Sequence, residues 1–223
     1  MTAARAQDAG IIGSIAAERR ELAEVLAGLP PASWDSPTLC AGWRVREVVA
    51  HITMPFRYPL PRFAFEMIRS RGNFNRMADR CARRDGAAPP GELASALRDS
   101  ERNPWKPPGG GYQGALSHDV IHGLDITVAL GLGRRVPADR LRIVLAGITA
   151  AKSVRFFGTD LDGIELRADD LDWSLGSGTP VSGSAQDLAL LVCGRKLPPG
   201  RLHGEPSARF TGVAGQERGK HLG

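Results

Sequence analysis

The 223-residue chain lacks a long apolar run, and no window reaches the roughly 18–20 apolar residues that a helix needs to cross a bilayer. The first 29 residues also lack the uninterrupted apolar core of a secretory signal peptide, because charges recur at Asp8, Glu18, Arg19 and Arg20. We therefore expect neither export nor a membrane partner.

Cysteine is scarce as well. Cys40, Cys81 and Cys193 are an odd number of widely spaced residues, without the paired spacing of a structural zinc site. This pattern excludes a disulfide framework and is typical of a protein in a reducing cytoplasm. Cys40 is best interpreted as a packing residue in a loop, since nothing near it in the sequence would lower the pKa of its thiol.

A concentrated basic stripe is also missing. The net charge is +5, and nearly all of the positive charge comes from arginines scattered along the chain. A nucleic-acid-binding protein more often collects its cations on one surface and carries a recognisable reading motif. We therefore predict no nucleic-acid partner. The 42% hydrophobic content is sufficient for a folded globular core.

Apolar residues recur at three- and four-residue intervals through the first two thirds of the chain, which is the spacing of amphipathic helices. A long helix is predicted over residues 7–28 and ends before Pro30 and Pro31. A second helix is predicted to start after Trp43 and to end near Pro55. Further helices are predicted over residues 56–80, 89–102, 112–130 and 136–157.

The pattern changes after Gly158 to short alternating segments, such as Ile164 with Leu166, which predict strands. One more helix is predicted over residues 184–195. The predicted fold class is therefore mainly α, an up-and-down helical bundle followed by a small α+β domain. The predicted boundaries are residues 1–157 for the bundle, 158–210 for the α+β domain, and 211–223 for a disordered tail.

The stretch LSHDVIHGLDIT, residues 116–127, carries the strongest candidate for a functional site. His118 and His122 are four residues apart, so on a helix they lie on one face. His51, next to the apolar stripe of the second helix, is the best candidate for a third ligand. Three imidazoles with a vacant position are typical of catalytic zinc. The alternative is that these are hydrogen-bonded core histidines.

Several charged residues near this motif are weaker candidates. Asp125, three residues after His122, either accepts the second ring hydrogen of a ligating histidine or lies in solvent. Asp119 is expected to face water. Arg57 and Arg62, just beyond the predicted second helix, are candidates for binding an anionic substrate by bidentate pairing.

Three segments resemble the mycothiol-dependent maleylpyruvate isomerase family. WDSPTLCAGWRVREVVAHI at residues 34–52 is similar to its first signature, and LSHDVIHGLDITVALG at residues 116–131 to its second. The region from DLDWSLGSG to VSGSAQDLALLVCGR resembles its small C-terminal domain, which is similar to sterol-carrier folds. The resemblance implies a DinB-like four-helix bundle that holds one divalent metal, commonly zinc, and it implies His51, His118 and His122 as the ligands.

This chain departs from the family at one ligand, because the isomerase itself has Glu where this chain has His118. A neutral imidazole in place of a carboxylate leaves the metal site one charge more positive, which is expected to lower the pKa of a bound water or thiol further. The difference also weakens the case for maleylpyruvate as the substrate.

The resemblance implies a metal-dependent enzyme that uses a low-molecular-weight thiol of the mycothiol type. The thiol would serve isomerisation or S-transfer on a small electrophilic substrate. Two alternatives stay open: a non-catalytic protein that binds a ligand or partner, and a metal-dependent hydrolase on the same three histidines. The expected partners are a small-molecule substrate and the thiol, and the oligomeric state is open.

Overall fold

The computed structural model describes residues 3–150, 153 and 157–213, and these residues pack into two units. The first unit comprises the chain up to Ser36 together with Trp43–Gly123, and the second comprises Pro37–Gly42 and the chain from Leu124 onward. Within the described residues, no helix is both long and apolar enough to span a membrane. The predicted fold class, mainly α with a small sheet, is confirmed.

The first unit consists of helices. They are α1 (Ala3–Ala27), α2 (Val45–Arg57), α3 (Leu60–Arg69), α4 (Phe74–Asp85), α5 (Pro90–Asp99) and the first part of α6 (Gly111–Ala129), with a short 3-10 helix at Pro31–Asp35. Helix α2 packs against α4 and α5, and α1 packs against α5. The buried side chains of α2 include the predicted stripe Val45, Val48, Val49 and Ile52. The amphipathic pattern therefore identifies the inner face of the helix that carries His51.

Helix α2 begins at a charged cap and continues past the proline that was predicted to end it. The backbone N–H of Arg44 donates to Glu47 Oε2 at 2.8 Å, which satisfies one of the free donors at the start of the helix. The end was predicted near Pro55, and the helix ends two residues further on, at Arg57. Pro55 lacks only its own N–H, and the last turn is held by Tyr58 N donating to the carbonyl of Met54 at 3.1 Å.

The single helix predicted over residues 56–80 is also wrong, because the structure has α3 and α4 with a turn between them. In this turn Arg71 and Gly72 have φ values of 55° and 75°, the left-handed region that ends a helix. Asn73 then caps α4, and its side chain accepts a hydrogen bond from Arg76 N at 2.8 Å. The break between α3 and α4 is therefore caused by the conformation of the turn and by the Asn73 cap. The spacing of the apolar residues does not reveal it.

The second unit contains the sheet. Its elements are the end of α6, α7 (Ala138–Ile148), β1 (Ile164–Ala168), β2 (Ser174–Gly176), β3 (Thr179–Gly183), α8 (Ala185–Val192), β4 (Leu202–His203) and a 3-10 helix at Glu205–Phe210. The strand order is β2-β1-β3-β4; β1 and β3 are parallel, and the outer pairs are antiparallel. Helix α8 is buried along its length and contacts α7, β1 and β3.

The turn before β3 requires glycine. Gly178 has a φ of 135°, and a Cβ at this position would lie 2.1 Å from the carbonyl oxygen of Gly163. Both the left-handed conformation and the close approach exclude a side chain here.

The division into two units falls inside α6, whereas the predicted boundary lies at residue 157. The reason is that α7 packs against α8 and so belongs with the sheet. The disordered tail was predicted over 211–223; Thr211 instead forms a parallel bridge with Leu197, and residues 214–223 lie outside the described part of the chain.

Candidate metal centre

The structure brings the three predicted ligands together in the first unit. His51 lies on α2, and His118 and His122 lie one turn apart on α6. One ligand nitrogen of each ring lies within 4.8 Å of those of the other two. The ring centroids are 4.8 to 5.2 Å apart. The four-residue spacing therefore places His118 and His122 on one face of α6, and His51 of α2 completes a cluster of three imidazoles.

The spacing of two of these nitrogens fits a shared metal ion. His118 Nε2 lies 3.4 Å from His51 Nε2. A tetrahedral ion with Zn–N bonds of about 2.05 Å would separate two ligand nitrogens by about 3.3 Å. Imidazole nitrogen is a donor that zinc, copper, iron and nickel all accept. The residues present therefore fit a divalent metal, with His51, His118 and His122 as its protein ligands.

The local sequence explains how the rings reach this position. His51 is only 6% exposed, and α2 also carries the buried side chains of Val48 and Ile52. His118 and His122 are partly buried on α6, which also carries the fully buried Leu116 and Val120. The cluster thus lies at the margin of the apolar core, where His118 keeps 17% of its side-chain surface exposed.

Asp119 is part of the site, and the expectation that it faces water is wrong. Its side chain is only 1% exposed, and its Oδ1 lies 3.0 Å from His118 Nδ1. Its other oxygen, Oδ2, accepts a hydrogen bond of 2.7 Å from Arg19 Nε. Arg19 is fully buried, and its Nη1 donates to the backbone carbonyls of Ser100 at 3.0 Å and Asn103 at 2.8 Å.

Sequence analysis missed Arg19, although a signal was present. Arg19 lies four residues after Ile15 and three before Leu22, on the inner face of α1. An arginine at a core position of an amphipathic helix is buried at high cost unless a carboxylate compensates its charge. This position therefore indicated a buried partner, which the structure identifies as Asp119.

Aromatic side chains flank the histidines. The ring centroids of Trp43 and His51 are 4.9 Å apart, and those of Trp105 and His118 are 5.4 Å apart. Phe56 contacts Trp105 edge-on at 6.3 Å. Both tryptophans are only partly buried, so they provide apolar surface beside the cluster that a ligand could contact.

Asp125 is fully buried in the second unit, where its carboxylate binds Arg195. The solvent-exposed alternative for this residue is therefore wrong. Its predicted hydrogen bond to a ligating histidine stays a prediction.

The two arginines predicted to bind substrate make contacts within the protein. Arg57 Nη1 donates to Asp85 Oδ2 at 2.9 Å, and Arg57 Nε donates to Thr53 Oγ1 at 3.2 Å. The guanidinium of Arg62 lies over the ring of Tyr58, 4.1 Å from its centroid. These contacts hold the end of α2, and substrate binding by either arginine stays a prediction.

In the first unit, three imidazoles from two helices converge on one point. The fold and the site together place the protein in the class of helical proteins with a candidate divalent-metal site. Residues 15–104 match the family model of the mycothiol maleylpyruvate isomerase N-terminal domain. The resemblance seen in the sequence is thereby confirmed for this segment, which includes His51 and ends before His118 and His122.

Solved structures extend the similarity to the fold of most of the chain. Two crystal structures of the mycothiol-dependent maleylpyruvate isomerase each cover 90% of this chain and 93% of their own. A histidine-to-alanine mutant has a TM-score of 0.56 at 12% identity, and the other structure has a TM-score of 0.50 at 13% identity. The TM-scores show a common fold, and the low sequence identity leaves the activity open.

Two curated relatives come from two strains of Mycobacterium tuberculosis, and both are named uncharacterized proteins. Each is 28% identical to this chain, and the alignment covers 83% of this chain and 85% of the relative.

Proposed function

We propose that the chain is a metal-dependent enzyme that uses a low-molecular-weight thiol of the mycothiol type on a small electrophilic substrate. The observation that carries the proposal is the convergence of His51, His118 and His122, with two Nε2 atoms 3.4 Å apart. Three protein ligands are the number typical of a catalytic zinc site, because a structural site is usually closed by a fourth.

In this proposal the three imidazoles hold a divalent ion, and zinc is the ion with which binding is tested first. When bound, such an ion acts as a Lewis acid that lowers the pKa of a thiol or water at its open position. Trp43 and Trp105 provide an apolar wall beside the histidines, which favours a substrate with an apolar or planar portion.

The thiol is proposed from the family match over residues 15–104. A thiolate forms a C–S bond by adding to a conjugated double bond of the substrate, and rotation then becomes possible about the resulting single bond. Breaking the same C–S bond before any protonation returns the electron pair to sulfur, which releases the thiolate and an isomerised product. Protonation of the adduct instead leaves the thiol attached, which is S-transfer.

Maleylpyruvate itself is not the proposed substrate. His118 supplies a neutral ligand where the resembled isomerase has a carboxylate, so the bound ion keeps one more positive charge. The reactivity of the open position should therefore differ from that of the isomerase.

The experiment that tests the choice of a thiol uses the cobalt(II)-substituted protein titrated with mycothiol. Coordination of sulfur gives a near-ultraviolet charge-transfer band that oxygen ligands do not give. We expect this band to saturate with mycothiol and to be absent in the His122→Ala variant. Ser117→Ala, which leaves the three histidines in place, serves as the matched control and should behave as wild type.

A cobalt(II)-substituted protein whose absorption spectrum does not change on addition of mycothiol contradicts the thiol proposal. If that protein also hydrolyses ester or amide substrates, the hydrolase alternative gains support. The non-catalytic alternative would be favoured if removing the metal unfolds the protein and if the bound metal has no coordination position at which a ligand exchanges.

A further inference from the structure

A buried hydrogen-bond chain connects α1 to the candidate metal centre. Arg19 Nε donates to Asp119 Oδ2 at 2.7 Å, and the other carboxylate oxygen lies 3.0 Å from His118 Nδ1. Arg19 and Asp119 are 0% and 1% exposed. Each oxygen of this carboxylate therefore has its own partner, with water largely excluded from the chain.

The geometry assigns Asp119 and Arg19 as positioning residues that fix the tautomer and orientation of His118. An ionised carboxylate only accepts hydrogen bonds, so the proton of a neutral His118 belongs on Nδ1. Nε2 then carries a lone pair and no proton, and this atom is the one that lies 3.4 Å from His51 Nε2. The assignment rests on the proposed function in one respect, namely that Nε2 of His118 binds the metal.

Arg19 is held from several sides. Its Nη1 donates to the carbonyls of Ser100 and Asn103, and its guanidinium carbon lies 4.4 Å from the centroid of the Phe56 ring. The planar group thus presents Nε to Asp119 in one orientation, which leaves Oδ1 of Asp119 turned to His118. A lysine has a single donor atom and cannot reproduce these contacts together.

The need for this support follows from the residue at position 118. An imidazole ligand has a second nitrogen that must be satisfied and that otherwise allows two tautomers, whereas a carboxylate ligand has no such ambiguity. Asp119, itself held by Arg19, satisfies this second nitrogen of His118.

The test combines the tautomer with the affinity for zinc. Long-range proton–nitrogen NMR spectra of the metal-free protein should show His118 protonated on Nδ1 in the wild type and a mixture of tautomers in Asp119→Ala. The zinc dissociation constant, measured by chelator competition, should rise about 10–100-fold in Asp119→Ala, and by less in Arg19→Lys.

Glu66→Gln is the matched control, because it removes another buried carboxylate of the same unit. Within the described part of the chain, the ion-pair partners of Glu66 are Arg80 and Arg84, neither of which is a histidine. This variant should lose stability but keep the wild-type tautomer and zinc affinity. A parallel change in Glu66→Gln would show that the effect of Asp119 is merely structural, which overturns the assignment.

The assignment is also overturned if wild-type His118 carries its proton on Nε2, or if Asp119→Ala keeps both the wild-type tautomer and the wild-type zinc affinity. If Asp119→Ala does not fold, the assignment is tested by the tautomer of His118 in the wild type and by the zinc dissociation constant of Arg19→Lys. A wild-type protein that binds no zinc contradicts the proposed function, while the tautomer of His118 still tests the hydrogen-bond chain.

Discussion

Arg195 and Asp125 form a bidentate ion pair in the second unit. Arg195 Nε donates to one carboxylate oxygen at 2.8 Å, and Nη2 donates to the other at 2.9 Å. Asp125 is fully buried, and Arg195 also donates to the carbonyl of Cys193 at 3.0 Å. Two parallel charge-assisted bonds of this kind are stronger and more specific than a single contact. They connect the end of α6 to the residues that follow α8.

Replacing this arginine should strongly destabilise the protein. Arg195→Met leaves the buried carboxylate of Asp125 without its cation, and we expect the free energy of unfolding to fall by about 3–5 kcal/mol. Urea unfolding followed by circular dichroism measures the loss. Arg209→Met is the control, because its pair with Asp160 is largely exposed and should contribute at most about 1 kcal/mol. Equal losses in the two variants would contradict this account.

Asp85 should make the stability of the first unit depend on pH. Burial alone would raise the pKa of Asp85, but hydrogen bonds from Tyr58 and Arg84 and the charge of Arg57 outweigh it, and the pKa is lowered. A lowered pKa stabilises the fold above the ordinary value of about 3.9, and the contribution disappears as pH falls through the folded-state value.

Asp85→Asn should therefore be less stable than wild type by about 1–3 kcal/mol near neutral pH. The difference should shrink when urea unfolding is repeated below the ordinary carboxyl pKa of about 3.9, because the unfolded state then takes up the proton and the contribution of the ionised Asp85 is progressively lost. The exposed Asp99→Asn provides the comparison and should change little at either pH. A difference for Asp85→Asn that grows on acidification would reverse the predicted sign.

Cys193 should be chemically inert in the folded protein. Burial raises the pKa of its thiol to about 12, with the charge of Arg195 opposing and that of Asp125 adding to the shift. Because the thiolate is the reactive form, iodoacetamide at about pH 8 should leave Cys193 unmodified until the protein is unfolded in urea. Peptide mass spectrometry measures the modification. Rapid alkylation of Cys193 in the folded state would disprove this prediction.

The cluster of three histidines could be predicted because its signal is local and periodic. His118 and His122 share a helical face by their spacing alone, and His51 follows the apolar stripe of α2. The supporting pair could not be predicted in the same way. Arg19 and Asp119 are 100 positions apart, and a charged residue is usually assigned to the solvent-facing side of a helix until its partner is known.

The helix boundaries show a second limit. The turn between α3 and α4 depends on left-handed conformations at Arg71 and Gly72, which the apolar spacing does not encode. Conversely, Pro55 is a strong stop signal in sequence, yet α2 continues through it because contacts beyond the proline hold the final turn. Local backbone conformation and backbone hydrogen bonds therefore decided both boundaries.

The most direct test of the account is the metal content of protein purified without a histidine tag and reconstituted with zinc. Mass spectrometry should find about one zinc per wild-type chain, in keeping with a single three-ligand site. His51→Ala, His118→Ala and His122→Ala should each lose the metal while circular dichroism shows that the helices persist. His203→Ala, which changes a histidine on β4, should retain it. A wild-type chain that binds no zinc, or one whose zinc persists in all three cluster variants, would contradict the central claim that these histidines form a metal site.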